Sequence, residues 1–365
     1  MTRLIQFVFR IILFFDKRLR DPEKRDDIDY KNIKRILLVN TTALGDTLLS
    51  TPAIRTVREK FQDAYIASLV HVKQQEILRN NPRIDELILY PGKYKGLIRL
   101  IQTLRKKKFD MVVVLHANDP DIVPLVYLTG ARYRAGWAES KFSFLLTHTF
   151  KRPEGKRIHT IDQRLNIVKS VGIESDGVEM EYFFDEEDGS YADKFLREND
   201  ISAADTLIGI HPFGSLKSKS WPNYIEFIEK MAEDNRFKVI LIGGKKHEED
   251  VLKNWPKTDS KIVSAVGKTN IGQTAALIKR CKVFITTDSG PFHLAVALKT
   301  PTILLVGPTI IEVTGPYQDR ELHRVIKEEV DCAPCRLKTC DEHTCMKGIT
   351  PEKVMKELEK ALAEG

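Results

Sequence analysis

The sequence has no apolar run of the roughly 18 residues that a membrane-spanning helix needs. Its apolar stretch Leu4–Phe15 is too short and is interrupted by Gln6 and Arg10. No small-residue cleavage site follows that stretch, which argues against a secretory leader and for a cytoplasmic chain. The first glycine-bearing turn lacks G-x-G-x-x-G, so a dinucleotide is not expected there. No D-x-D pair is expected in a cleft loop to hold a metal-bound phosphate. Outside the first 20 residues there is no basic stripe with interleaved aromatics, which argues against nucleic acid as a partner. Cysteine is scarce: of five, four are crowded between Cys332 and Cys345. In a cytoplasmic chain such thiols are expected to be reduced or metal-bound rather than disulfide-linked.

What is present describes a folded protein of more than one core. The 365 residues are 42% hydrophobic and 30% charged. That length is too great for a single ordinary domain. The net charge of +7 points to anionic partners such as phosphates or acidic lipid head groups. At the start, Arg3, Gln6, Arg10 and Lys17 fall on one helical stripe, with Phe7, Ile11, Phe14 and Phe15 over much of the rest. Residues 3–20 therefore read as an interfacial helix on an anionic membrane surface. The alternative is a helix docked on the protein's own core.

The segment Val283–Thr309 organises the remainder. A β-branched run, Val283–Thr286, leads into the turn Thr287-Asp288-Ser289-Gly290, a short helix Phe292–Leu298 and a second apolar run, Ile303–Val306. This is a βαβ unit with parallel strands. Open α/β sheets bind ligands at such a strand-to-helix turn, where free helix N–H groups accept anions. A rival reading makes His293 a satisfied, half-buried histidine and Asp288 a helix cap. The same alternation runs through the chain from Arg35. It implies an α/β fold of two tandem Rossmann-like domains facing a cleft. The expected divisions are a leader and linker at 1–34, a first domain at 35–180, a second at 181–349 and a closing helix at 350–365.

Two more segments, both in the second half, end predicted strands with the residue types a nucleotide sugar needs, and a third opens the first Rossmann-like unit. Leu44-Gly-Asp46 follows the first strand. Ile210–Pro222 supplies Gly214, Ser215, Lys217 and Lys219, small donors and ammonium groups suited to a diphosphate. Ile242-Gly-Gly-Lys-Lys-His-Glu-Glu249 ends a strand in two glycines, and Glu248 could take the two hydroxyls of a ribose. Taken singly, a basic loop or a helix-terminal acid accounts for each.

Together they closely resemble the lipopolysaccharide heptosyltransferases, inverting enzymes of glycosyltransferase family 9 with the GT-B arrangement. The matching motifs are residues 44–54, 211–222, 243–249 and 288–309, in order. The resemblance implies an ADP-L-glycero-D-manno-heptose donor held by the second domain and a lipid A-core acceptor held by the first. It implies Asp46 as general base and Lys219 as neutraliser of the leaving diphosphate. Gly214, Ser215, Glu248, Asp288, Ser289, Gly290 and His293 would bind the donor. It places the enzyme at the cytoplasmic face of the inner membrane, and it requires no cofactor or catalytic metal. Gly214-Ser215 and Ser289 depart from the hydroxyl pair and threonine expected in the family. Asp46 has a rival role as a helix cap. The acceptor-side residues His116, Asn118 and Asp119 read as polar loop. Cys332, Cys335, Cys340 and Cys345, with His343 among them, are dense enough for a structural zinc; a knuckle of reduced thiols or a disulfide is the other reading. Rival functions are a transferase using another nucleotide sugar and a non-catalytic nucleotide binder.

Overall fold

The structure is a computed structural model that describes residues 28–116, 118–255, 261–335 and 337–364. The expected interfacial helix at residues 3–20 lies outside them. The chain divides into two compact units, Met1–Glu179 and Met180–Gly365.

The first unit holds strands β1 Arg35–Asn40, β2 Tyr65–His71, β3 Glu86–Tyr90, β4 Met111–His116, β5 Tyr133–Trp137 and β6 His148–Phe150. Its helices are α1 Leu44–Leu48, α2 Thr51–Lys60, α3 Gln75–Leu78, α4 Leu97–Lys106, α5 Ile122–Leu128 and α6 Thr160–Lys169. The second unit holds β7 Thr206–His211, β8 Phe237–Leu241, β9 Ile262–Ser264, β10 Val283–Thr287, β11 Thr302–Val306 and β12 His323–Lys327. Its helices are α7 Glu186–Glu198, α8 Tyr224–Glu233, α9 Glu248–Asn254, α10 Ile271–Arg280, α11 Gly290–Ala297, α12 Ile311–Thr314, α13 Thr344–Lys347 and α14 Pro351–Glu364.

Every strand pair among the described residues is parallel. The orders are β3-β2-β1-β4-β5-β6 and β12-β11-β10-β7-β8-β9. Counted from each unit's own first strand, both contain the reversal of strand order that marks a doubly wound Rossmann sheet. Central strands read as unbroken apolar runs because helices cover both sheet faces. Ile36, Leu37, Leu38 and Val39 of β1 and Phe284 and Ile285 of β10 are all fully buried. Some helices cover them with one apolar face, as α4 does through Leu100 and Leu104, which share a core cluster with Ile88, Tyr90 and Val112, while α5 and α11 are buried on nearly every side.

Two edge strands, β6 and β12, were not expected from the sequence. The first has only three residues, and the second is buried only at His323 and Ile326. Neither has the continuous apolar run that marks the sheet centres. The helix expected from Phe292 starts two residues earlier, at Gly290, with Pro291 in its first turn, where a missing N–H costs nothing. Among the described residues, no helix is long and apolar enough to cross a membrane.

Gly209 in β7 marks a point of very close packing in the second core. A Cβ there would lie 2.7 Å from both Cys281 Sγ and Phe284 Cδ2. Cys281 is the plain core residue expected, buried with its thiol donating to the Leu277 carbonyl. Gly209→Val should lower the unfolding free energy by at least about 1–3 kcal/mol through overpacking, read as a reduced urea midpoint; an unchanged midpoint would mean the two side chains move aside freely.

Candidate functional site

In each unit the strand order reverses between the first and fourth strands, and chemistry-bearing side chains gather there. In the first unit those strands are β1 and β4. Their pairing runs in register from Ile36↔Met111 to Val39↔Val114, then shifts so that Asn40 meets His116. Asn40 Nδ2 donates to the Asp46 carbonyl at 3.0 Å and to Ser50 Oγ at 2.6 Å, which fixes the turn into α1.

Asp46 lies within α1, whose N-cap is Ala43, so its carboxylate is not a cap. It turns instead to Arg164 of α6. Arg164 is fully buried, and its Nη2 donates to Asp46 Oδ1 at 3.1 Å. The same guanidinium donates to Ser50 Oγ at 2.8 Å and to the Thr160 carbonyl at 2.9 Å. Burial pulls the Arg164 pKa down to about 10 against the opposing charge of Asp46, so it stays a cation at neutral pH. A buried cation left unpaired is strongly unfavourable, so Arg164 holds the Asp46 carboxylate in place. One third of the Asp46 side chain remains open to solvent. His116 Nε2 is 3.6 Å from the same carboxylate oxygen. Burial, then the charge of Arg164, drives the His116 pKa down to about 4 despite Asp46, so its ring is neutral at pH 7.

Arg164 and His116 are thus partners that sequence reasoning missed or set aside. His116 read as polar loop, yet it is the last residue of β4, beside the base candidate. For Arg164 the one signal is an arginine set among Ile161, Leu165 and Val168 on an otherwise apolar helix face. A D-x-D pair does stand in this unit, at Asp119 and Asp121, but both carboxylates accept from the buried Tyr90 hydroxyl. Asp121 also takes the Tyr94 N–H at 2.9 Å, and its burial raises its pKa.

In the second unit the reversal lies between β7 and β10. The loop after β7 turns through Gly214 into a 3-10 turn, Lys217–Lys219. A Cβ on Gly214 would collide with Lys219 Cβ and fall 2.6 Å from the Leu216 carbonyl, so only glycine fits. The Gly214 N–H donates to Ser220 Oγ at 3.0 Å and is therefore engaged within the loop, while Ser215 is exposed. Lys219 Nζ reaches across to the end of β10 and meets Asp288 Oδ2 at 2.9 Å, with both side chains largely buried. Asp288 is accordingly not the cap of α11; Ser289 holds the N-cap position. Ser289 Oγ donates to the Thr287 carbonyl at 3.1 Å and lies 3.3 Å from His211 Nδ1. Burial, then the charge of His247, takes the His211 pKa down to about 3. Gly290 opens α11, and His293 is buried one turn in.

Glu248 is the first residue of α9. Its carboxylate lies 3.1 Å from where a Cβ on Gly267 would stand, at a position with φ of +75° that favours glycine. It borders a cavity of about 290 Å3 with Val251, Trp255, Val263, Ser264 and Lys268.

The cysteine-rich segment holds the Lys219 turn from behind. The Ser218 N–H donates to the Lys338 carbonyl at 3.3 Å, and its hydroxyl donates to the Leu337 carbonyl. His343 Nε2 donates to the Ser218 carbonyl at 2.9 Å. Cys332 and Cys335 are exposed, Cys340 is half-buried and Cys345 is buried, all as free thiols. Among the described residues, no group of three or more His, Cys, Asp or Glu is placed to hold a metal ion.

Comparison with known proteins gives this arrangement its family. The model of glycosyltransferase family 9 (heptosyltransferase) matches residues 97–346. The chain belongs to glycosyltransferase family 9. The family 9 chain is 25% identical over 346 residues to lipooligosaccharide heptosyltransferase 2 of Campylobacter jejuni, covering 90% of this chain and 98% of that protein. It is 29% identical over 294 residues to lipopolysaccharide heptosyltransferase 3 of Escherichia coli, covering 73% and 80%. Among solved structures it resembles a family 9 glycosyltransferase from Veillonella parvula, with a TM-score of 0.80 and 27% identity over 93% of this chain and 99% of that one. It also resembles the E. coli ADP-heptose heptosyltransferase II, with a TM-score of 0.76 and 22% identity over 90% and 99%. The GT-B expectation of two tandem Rossmann-like units and the assignment as a glycosyltransferase both hold.

Three depressed histidines, His116, His211 and His323, the last taken down to about 4 by burial, give this family 9 enzyme a defined pH response. Unfolded histidine titrates near 6.5, whereas folded His116 and His211 titrate near 4 and 3. Below pH 6.5 the unfolded chain binds more protons than the folded one, so stability is complete above pH 6.5 and falls as pH falls toward 4. The urea midpoint should drop between pH 7.5 and 5, and His116→Gln with His211→Gln should make that slope shallower, His323 keeping the remainder. An unchanged slope in the double variant would contradict the assignment.

Proposed function

We propose that this chain is an inverting transferase moving heptose from ADP-L-glycero-D-manno-heptose to the inner core of lipopolysaccharide, at the cytoplasmic face of the inner membrane. The observation that carries the reading is the pair of ionic contacts at the two switch points, Asp46–Arg164 and Lys219–Asp288. An inverting transfer needs a base for the acceptor and a positive clamp for the leaving diphosphate. The family supports the sugar, and the heptosyltransferase names of the relatives support the acceptor. One fold neighbour, an E. coli heptosyltransferase with a TM-score of 0.67, was solved with ADP-2-deoxy-2-fluoro heptose.

In this reading Asp46 accepts the proton of the attacking hydroxyl as the new bond to the anomeric carbon forms and the bond to the diphosphate breaks. Arg164 holds the Asp46 carboxylate, and neutral His116 stands beside the entering hydroxyl. Lys219 swings its ammonium group from Asp288 to the diphosphate, where negative charge grows on the departing ADP. The amino end of α11 at Ser289 and Gly290 adds its N–H groups. Ser215 contacts phosphate, while Asp288 and His293 line the sugar-phosphate region. Glu248 takes the ribose hydroxyls, and the cavity beside it takes the base. The positive charge at the diphosphate comes from Lys219 and the helix end, with no cofactor required.

Asp46→Asn keeps the shape of the side chain but removes the charge opposite buried Arg164. It should therefore melt below wild type, by a loss of up to about 3–5 kcal/mol, and its turnover is read at a temperature where it remains folded. Its kcat should fall about 10²- to 10⁴-fold. Lys219→Met should lose about 10²- to 10³-fold and weaken ADP binding. Near-normal turnover of Asp46→Asn would sink the base assignment. The leading alternative is another nucleotide sugar. Thermal shifts with ADP, UDP and GDP at matched concentrations decide it, since a ligand at about 100 times its Kd stabilises by about 2.7 kcal/mol. A larger shift with UDP or GDP than with ADP would move the donor.

A further inference from the structure

Among the described residues, three of the four exposed large apolar side chains of the first unit sit at one corner of its sheet: Val72, Leu89 and Ile98. Val72 directly follows the last residue of β2, Leu89 is the penultimate residue of β3, and Ile98 stands in the first turn of α4. β2 and β3 are neighbours, paired Val70↔Leu89 and His71↔Tyr90, so their carboxyl ends lie side by side. In the second unit the exposed Leu252, Val325 and Leu337 are dispersed over a helix, an edge strand and the cysteine-rich segment.

The segment from β3 into α4 carries charge of one sign, while the acidic groups beside it include Asp119 and Asp121, which accept from Tyr90 and from the Tyr94 N–H, and Glu76 after Val72. From Leu87 to Phe109 the chain carries seven basic residues and no acidic one. Lys107 is used by Glu86, at 2.6 Å. Lys93, Lys95 and Arg99 are exposed around Ile98, which is itself 76% exposed, and Lys73 is exposed beside Val72. Leu100 and Leu104 anchor α4 in the core, leaving Ile98, Arg99, Gln102, Arg105 and Lys106 outward. The corner is on the same sheet edge as Asp46, which follows β1. With strands about 4.8 Å apart, β3 is about 10 Å from β1.

We propose that this corner docks on an anionic lipid surface. Apolar tips among lysines and arginines match the boundary between acyl chains and acidic head groups: the tips enter, and the cations meet the phosphates. Single-stranded nucleic acid would require aromatic faces open for stacking, whereas Tyr94, the aromatic of this loop, is only partly exposed and has Lys93 over its ring at 5.7 Å. The docked corner would bring the sheet edge that bears Asp46 to the level at which a lipid-borne sugar emerges. This deepens the proposed function and rests on it only for the acceptor; lipid binding is measured without turnover, so the two fail separately.

The test is co-sedimentation of the full chain with vesicles of phosphatidylglycerol and phosphatidylcholine, mixed at about 1:3, against pure phosphatidylcholine. Wild type should bind the anionic vesicles and be released by salt. Ile98→Glu, and separately Lys93→Gln with Lys95→Gln and Arg99→Gln, should each weaken binding roughly tenfold with unchanged melting. Lys253→Gln, an exposed lysine of the second unit, should bind as wild type. Unchanged binding in both corner variants would overturn the proposal and move the contact elsewhere in the chain. So would equal binding to pure phosphatidylcholine, an equal loss in Lys253→Gln, or corner variants that lose a single-stranded oligonucleotide but keep the vesicles.

Discussion

Parallel strand direction decides where both sites lie. When all strands of a sheet run one way, every strand-to-helix turn lies on one edge. The reversal of strand order opens a gap between helices at one point of that edge. Both units contain such a reversal, and both place an ion pair at that point. After β1 and β4 it is Asp46 with Arg164, flanked by His116; after β7 and β10 it is Lys219 with Asp288. The separation of roles follows from which charge is buried. In the first unit the cation is sealed in helix α6 and the carboxylate is left partly open, which suits the proposed proton acceptor. In the second unit a flexible lysine carries the positive charge and is paired with Asp288; in the proposed reaction it leaves Asp288 for the diphosphate.

Each charged group is held by a longer-range support. Arg164 is tied to Ser50 and Thr160 as well as to Asp46, so the carboxylate is fixed by a group that has no freedom of its own. The Lys219 turn is held by Gly214, where no side chain fits, and by Ser218, whose N–H, hydroxyl and carbonyl all bond to the segment Leu337–His343. The cysteine-rich segment, which nothing in the chemistry of transfer calls for, thereby acquires a structural purpose at the lysine. Preorganised charge of this sort is what makes electrostatic stabilisation effective at the moment of reaction.

Much of this was legible in the sequence, for physical reasons. Strands covered on both faces must be apolar throughout, so β1, β4, β7, β10 and β11 stand out. The turns after them carry glycine, hydroxyl and charged residues, the types expected where such sheets bind ligands. Asp46, Lys219 and Asp288 could therefore be singled out. Their partners could not: Lys219 and Asp288 are 69 residues apart and Asp46 and Arg164 are 118 apart, distances that only the sheet order closes. Asp288 was a plausible cap because a carboxylate before a helix usually is one; here Lys219 claims it. The Gly214 N–H, expected at phosphate, is engaged by Ser220, a choice of local loop geometry that residue types do not reveal. The edge strands β6 and β12 were missed because an edge needs no unbroken apolar run.

The proposed chemistry is displacement at the anomeric carbon by an acceptor oxygen that Asp46 deprotonates. The decisive measurement is the anomeric configuration of the product, by NMR, after transfer from ADP-L-glycero-D-manno-heptose to a de-acylated inner-core acceptor. Single displacement predicts one new glycosidic bond with the donor's configuration inverted, and release of one ADP per bond. Retention of configuration would contradict it, because a single base and a single displacement cannot give that result.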